Sequence, residues 1–471
     1  MSRHVLYALS WGVFLGLAVI KFGNPIVLEG QLDVPRTLAE FWGWPWPLRW
    51  AQAAFLPLAI VGLLLTRPMT VFRRLAMNRS RWVLLLLPIL WLSWQYLAAL
   101  TSVDPRLTGL VLPHFTAIIV AYFIGYLLFR DVTLQRWLWP GLLVGMTFCL
   151  VKAVNQYVVE FPADLATYRE NERTGWTNTP PANLVELKRL QLVLTANGVD
   201  IANPIILKKL EKGRVYGTLV YPNALAALLL LLFPAALILA WTRTEELRPR
   251  LRELVIGLTA VLGLSCFFWT GSKAGWLVAL IVAGAALLIR PGQAWKKWLS
   301  VVAIFVVGLG VFFARHAGYF RQGATSASAR VDYWRAAWTT ANTHPWVGTG
   351  PGTFQRPYGA MKSSDQEMAR LVHNDYLEQA SDAGWPAAIL YFAWIAGLLW
   401  TLGRHAVGTF PRNPLTVALW LGLLGWFLQS AAEFSLYIPA LAWPAFLLAG
   451  MQLGAGEEES VRTRLPGPVA K

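Results

Sequence analysis

Basic, imidazole and carboxylate side chains recur in this chain at the ends of apolar segments, where retaining them is costly. Gly213-Arg214-Val215-Tyr216-Gly217-Thr218, followed by Tyr221-Pro222-Asn223, places a guanidinium just before a long apolar run. A helix starting there points its unpaired amides and positive dipole end at the same spot, which suits an anion. The arginine fork matches phosphate oxygens; the plainer alternative is a snorkelling arginine that anchors a helix end. Trp269-Thr270-Gly271-Ser272-Lys273-Ala274-Gly275 repeats the arrangement. It is a tight turn with Lys273 as its only charge, a following helix N-terminus, and glycines that let a bulky ligand approach. Its plain alternative is a hairpin with an interfacial lysine.

The densest polar stretch runs from Arg330 to Gly384. Ser326 or Ser328 can cap a helix through about Thr343, with Arg330, Trp334, Trp338 and Ala341 on one face, as in an amphipathic helix lying on a membrane. His344-Pro345 ends it, and Gly348, Gly350 and Gly352 make a flexible turn that lacks the Lys-Ser/Thr ending of a phosphate loop. A second helix is expected to open at Ser363 or Ser364, each with Gln or Glu three residues on, and to run to about Asp382. On that helix His373 shares a face with Arg370, Tyr376, Leu377 and Ala380 towards the membrane domain, while Asp375, Glu378 and Asp382 face water. An imidazole there is either a proton acceptor working near neutrality or a satisfied core residue. Glu433, in Gln429-Ser430-Ala431-Ala432-Glu433-Phe434, is an acid beside lipid; it is a functional candidate, or it reaches water from a helix end.

Metal and redox chemistry find little support. His344 and His373 have no ligand-type companions at a metal-site spacing. Cys149 and Cys266 lie inside apolar runs, so they build neither a disulfide framework nor a cysteine metal site. No cofactor is expected.

The elements that position these groups follow from hydropathy. With 56% hydrophobic residues in 471, the chain reads as an all-α polytopic membrane protein. Twelve apolar runs approach the ~17–25 residues that a bilayer needs. They are Val5–Phe22, Leu48–Thr66, Trp82–Leu100, Leu107–Phe129, Trp137–Val154, Tyr216–Trp241, Leu254–Trp269, Ala274–Ile289, Trp298–Ala314, Gly384–Leu402, Leu415–Ala432 and Leu436–Leu453. Backbone amides in lipid bond internally, so these runs are helices, about 12 transmembrane segments in a single membrane domain over residues 1–471. Trp42, Trp44 and Trp46 fit an interfacial belt. Val5–Phe22 lacks a clear cleavage site and is read as retained.

Orientation follows from short loops. Arg67, Arg73, Arg74, Arg79 and Arg81 share one side with Arg130 and Arg136, the Arg243–Arg252 group, Arg290, Lys296 and Lys297, and Arg404 and Arg412. The positive-inside rule puts that side, both termini and the polar tail 454–471 in the cytoplasm. The excursions 156–214 and 315–383 then lie outside, the second as a long helical loop. The net charge of +16 arises largely from these anchoring loops, with no basic domain standing apart, so nucleic-acid binding is rejected.

In order, Arg214…Gly217 with Pro222-Asn223, Gly271-Ser272-Lys273-Ala274-Gly275, Arg330…Trp334 with His344-Pro345-Trp346-Val347-Gly348-Thr349-Gly350, and His373-Asn374-Asp375-Tyr376-Leu377…Gly384 resemble the O-antigen ligase and polymerase superfamily of bacterial polysaccharide assembly. Ser430…Glu433-Phe434…Ile438-Pro439-Ala440 also resembles a late helix of that family. The likeness covers roughly Gly213 to Ala440. It implies a C-type glycosyltransferase membrane fold in the bacterial inner membrane, without cofactor or metal. The implied reaction moves a glycan from an undecaprenyl-diphosphate carrier to an acceptor hydroxyl of lipid A-core or another glycan on the periplasmic face, with inversion. By the resemblance, Arg214 and Lys273 bind diphosphate, the lysine standing where arginine is frequent. His373 is the catalytic base, and Glu433 stands where aspartate is common. Arg330, Arg370 and Asn374 are accessory candidates.

A polymerase or a protein oligosaccharyltransferase shares these motifs. A bicarbonate-type transporter is the rival of another class, but transporters place paired broken helices near the midplane. Here the charges gather at one surface.

Overall fold

Helices form over all twelve apolar runs, because amides in such sequences find no partner in lipid except their own carbonyls. The computed structural model describes residues 2–31, 33–66, 82–196, 198–321, 325–364 and 366–464. Among the described residues, nine helices are long and apolar enough to cross a membrane, and the chain is a polytopic membrane protein. Lys273–Ile289 and Pro414–Gln429 are apolar but shorter, and Pro439–Arg464 is the last described helix. The basic turn expected at Arg67, Arg73, Arg74, Arg79 and Arg81 lies outside the described residues.

The middle of the bundle is the segment Leu441–Leu453 of the last helix, buried on every side and packed on Pro105–Leu128. The first helix, Arg3–Lys21, packs on Val132–Asn155. Gly12 and Gly16 face Gly141 and Gly145, and a Cβ on Gly141 would stand 2.1 Å from the Gly12 backbone. Small residues let two backbones approach this closely inside a membrane. The contact anchors the middle of Val132–Asn155, the helix whose far end leads to the site's first support.

Pro222–Arg243 has 22 residues, a length of roughly 33 Å. It therefore separates the two ends of the bundle by about a membrane thickness. Both polar excursions sit at one end. Val215 N donates to Trp269 O at 3.3 Å, Asp375 N to Ser430 O at 2.8 Å, and Val103 N to Thr349 O at 2.9 Å, joining five parts of the chain there. The turns carrying Arg248, Arg290 and Arg412 lie at the other end.

The fold adds three local details to these expectations. The all-α bundle carries one small hairpin in its first excursion: Val193–Ala196 and Val199–Ala202 pair antiparallel, Val193 opposite Ala202. Gly198 at φ +80° precedes the second strand, and Trp176 packs on Val193 and Ala202 in a small apolar cluster of the first excursion. The polar tail 454–471 is helical at its start, where the last helix continues to Arg464. Glu457 accepts from Tyr126 Oη at 2.5 Å and Glu459 lies 3.5 Å from His405, which ties that extension to its neighbours. The tenth run opens at Gly384 as expected, where the element Asp375–Thr409 is broken. With φ 79° and ψ 173° that residue occupies a region essentially restricted to glycine, and a Cβ would stand 2.3 Å from Trp346 O. The break separates the polar turns 375–383 from the apolar helix that follows.

Candidate functional site

Val132–Asn155 runs into a π-helical turn, Gln156–Glu160, a widening frequent at functional sites. The turn carries the buried Gln156 side chain to the loop 213–221. Gln156 Oε1 accepts from Tyr216 N at 3.1 Å and Gly217 N at 2.8 Å, and Nε2 donates to Gly217 O at 3.0 Å. Gly217 sits at φ +62° with Cys149 O 2.6 Å from where a Cβ would stand, so a side chain is excluded there. The loop is thus fastened at Gly217, and Arg214 reaches inward from it.

Arg214 Nε donates to Thr270 O at 2.8 Å and Nη2 to Asn223 Oδ1 at 2.9 Å. Burial pushes its pKa down from the ordinary value, Glu433 acts in the opposite sense, and Arg330 adds to the lowering. A guanidinium stays charged through such shifts. The neighbouring turn is closed by Gly271 in the left-handed region and capped by Ser272, whose Oγ accepts from Gly275 N at 3.2 Å. Lys273 opens the next helix. Its Nζ lies 3.9 Å from the centre of the Tyr319 ring, close enough to Arg214 and Arg330 for their charges to act on it.

Glu433 joins the pieces. It is buried just past Pro414–Gln429. Oε1 accepts from Asn223 Nδ2 at 2.5 Å and forms an ion pair with Arg330 Nη2. Oε2 stands 3.3 Å from His373 Nδ1. One carboxylate therefore connects residues 223, 330 and 373, and through Asn223 it connects Arg214 as well. Charge-assisted bonds of this kind are the strong ones. Arg330 arrives on Thr325–Thr343, a helix that ends before His344-Pro345 as its spacing indicates but begins ahead of Ser326 and Ser328, so neither serine is its cap. Its buried stripe is Tyr333, Ala337 and Ala341; Trp338 is exposed and meets Trp385 edge-on at 5.0 Å.

His373 is not on a helix. The segment expected to coil from Ser363 makes only a local turn, in which Ser363 N donates to Gln366 Oε1 at 3.0 Å. The helix formed nearby is Gln355–Met361. His373 takes φ +56°, immediately before Asn374. Asn374 Oδ1 accepts from Tyr376 N at 3.1 Å and Leu377 N at 3.0 Å, so this residue caps Asp375–Thr409 and its side-chain oxygen is occupied. The imidazole stacks against Tyr333 with ring centres 5.8 Å apart and meets Phe434 edge-on at 4.6 Å. Trp334 Nε1 donates to the His373 carbonyl at 3.4 Å.

The acids expected to face water are buried. Asp375 Oδ2 accepts from Leu436 N at 2.9 Å, Glu378 Oε2 from Val372 N at 3.2 Å, and Asp382 Oδ2 from Gly352 N at 2.7 Å. The glycine turn 348–352 accordingly packs down: Gly350 N also donates to Asp382 O at 2.7 Å. Its amides are committed to the chain itself.

Arg370 lies on the other flank of His373. It lines a cavity of about 240 Å³ with Tyr221, Tyr333, Glu367, His373 and Phe434. Among the described residues, no three His, Cys, Asp or Glu side chains converge as a metal-ligand set. Asn223 and Gln156, given no separate role by sequence, turn out to hold the cluster together. The available signals were a buried-type glutamine closing an apolar run and an asparagine one residue into the next.

Residues 258–392 match the family model described as O-antigen ligase, so the resemblance is shown over that range. It includes Lys273, Arg330, Arg370 and His373; Arg214, Asn223 and Glu433 lie outside it. No curated protein matches the chain.

Proposed function

We propose that this protein transfers a glycan from an undecaprenyl-diphosphate carrier to a glycan hydroxyl, as an O-antigen ligase does, with lipid A-core or another glycan as acceptor. On this reading the fold is of the C-type glycosyltransferase kind with about 12 membrane spans in the bacterial inner membrane. Both termini are cytoplasmic and the site opens to the periplasm. The observation that carries the reading is the cluster around Glu433. Arg330 pairs directly with a single carboxylate that also holds a histidine, Arg214 joins it through Asn223, and Lys273 lies within charge range of both arginines. That leaves surplus positive charge for an anion, at the bundle end away from the arginine-rich turns. The family match over residues 258–392 supports glycan transfer and lipid-linked substrates in general terms.

The chemistry follows from the geometry. Nδ1–H of His373 donates to Glu433, so the lone pair is on Nε2. Nε2 takes the proton of the acceptor hydroxyl as its oxygen bonds to the anomeric carbon. The bond from that carbon to the diphosphate oxygen breaks on the opposite face, inverting the centre, and its electron pair leaves with undecaprenyl diphosphate. Charge growing on the leaving oxygens meets Arg214, Lys273 and the outward helix N-termini, donors already in place before reaction. Glu433 stabilises the imidazolium that forms.

The test is transfer in proteoliposomes by the full chain from a lipid-diphosphate glycan to candidate acceptors, comparing wild type with His373→Ala. The substitution is expected to cut turnover ~10²–10⁴-fold at equal donor binding. Wild type that leaves the lipid-linked donor untouched with every acceptor sinks the reading; near-normal turnover by His373→Ala removes the residue from its role.

A further inference from the structure

Arg214, Arg330 and Lys273 each contact a named partner, whereas Arg370 makes no hydrogen bond or ion pair among the described residues. It is only half exposed, and an unpaired charge held out of water is costly. The space it borders is the cavity of about 240 Å³ beside His373, enough for a hexose-sized group. None of Arg214, Lys273, Arg330 and Glu433 lines that space, while His373 does. The imidazole therefore borders this space and also contacts Glu433, the centre of the cationic cluster.

We propose that this cavity is the acceptor subsite and that Arg370 binds an oxyanion, phosphate or carboxylate, carried by the acceptor sugar beside its reacting hydroxyl; the assignment rests on the glycan-transfer reading above. Tyr221, Tyr333 and Phe434 give the cavity aromatic walls against which the C–H faces of a sugar ring pack. Burial pushes the Tyr333 phenol up to about 12, with Glu367 adding to the rise, and burial also raises Tyr221. Both phenols thus remain hydrogen-bond donors at neutral pH, and the Glu367 carboxylate supplies acceptors for sugar hydroxyls. A guanidinium fork matches phosphate and carboxylate alike through two parallel bonds. The donor's diphosphate is the competing source of an anion, and it has its own cations in the cluster around Glu433.

Two synthetic lipid-anchored acceptors, identical except for a phosphate monoester next to the accepting hydroxyl, separate these sources when given to the full chain in proteoliposomes. With saturating donor, wild type is expected to show a KM at least about tenfold lower for the phosphorylated acceptor. Arg370→Ala removes that preference by raising the KM of the phosphorylated acceptor alone, leaving the donor KM unchanged, and Arg370→Lys restores part of it. An equal effect on both acceptors, or a raised donor KM, overturns the proposal and in the second case moves Arg370 to the diphosphate. Equilibrium binding of a hexose phosphate and of the plain hexose is measured alongside. Arg370-dependent preference for the phosphate without any transfer keeps the subsite and sinks the reaction; transfer with no phosphate preference keeps the reaction and sinks the subsite.

Discussion

Glu433→Gln probes the cluster at its centre. The substitution preserves size and the ability to accept from Asn223 Nδ2, which lies 2.5 Å from Oε1. It removes the negative charge that pairs with Arg330 and lies 3.3 Å from His373 Nδ1. A hydrogen bond to a charged group contributes about 1.5–3 kcal/mol, and here the relevant bond strengthens as the imidazole takes up a proton. Losing it in the transition state corresponds to roughly ten- to 150-fold in kcat. Donor affinity moves the other way. With the carboxylate gone, Arg214, Arg330 and Lys273 present more uncompensated positive charge, so the KM for a diphosphate donor is expected to stay level or fall. Steady-state transfer at varied donor, with thermal unfolding as a control, reads both quantities. A kcat within about twofold of wild type, or a donor KM that rises in step with the lost turnover, refutes the reasoning. Glu433→Asp keeps the charge but shortens the arm, so it is expected to fall between the two.

Two further outcomes are expected. Arg214→Ala loses the bonds to Thr270 O and Asn223 Oδ1 together with a cation, and should raise the donor KM about tenfold or more at unchanged expression; unaltered donor kinetics would exclude Arg214 from phosphate binding. Gly384→Ala forces a Cβ to within 2.3 Å of Trp346 O at a backbone angle that suits only glycine. It should cost about 2 kcal/mol or more and lower the thermal midpoint, and a midpoint equal to wild type would show that the break is not required.

The membrane helices were legible because a bilayer imposes a length and an apolar composition that local sequence displays directly. The turn at Gly271-Ser272-Lys273 was legible for a similar reason: a left-handed closing glycine and a serine cap act on their immediate neighbours. The stretch 363–382 was not. Ser363 and Gln366 make the contact expected of a helix start, but the chain gains more by burying Ala369, Leu371 and Val372 in a loop and restarting at Asn374. The Asn-Asp pair ahead of Tyr376-Leu377 was the competing start signal. Periodicity also misplaced the acids, since it reports which residues share a face and not which face meets water. Glu433 could be flagged as an acid beside lipid, yet its partners come from positions 223, 330 and 373, a convergence that only the tertiary fold supplies.

Those misplaced acids explain why the site has the dimensions it does. Asp375, Glu378 and Asp382 are spaced so that one face of a short helical stretch carries all three. Each accepts an amide from a different loop: Leu436, just after Glu433; Val372, just before His373; and Gly352 in the glycine turn. The separation of Glu433 from His373 is therefore set by two neighbouring carboxyls on one rigid element and not by the loops themselves. Gly384 ends that element and lets the apolar helix below leave at its own angle. Catalytic geometry is lost by small displacements, and loops left free at a membrane surface would not hold a 3.3 Å contact. Burying three acids is costly in isolation; here it gives the two loops a common frame, which is what the proposed base and its orienting carboxylate need.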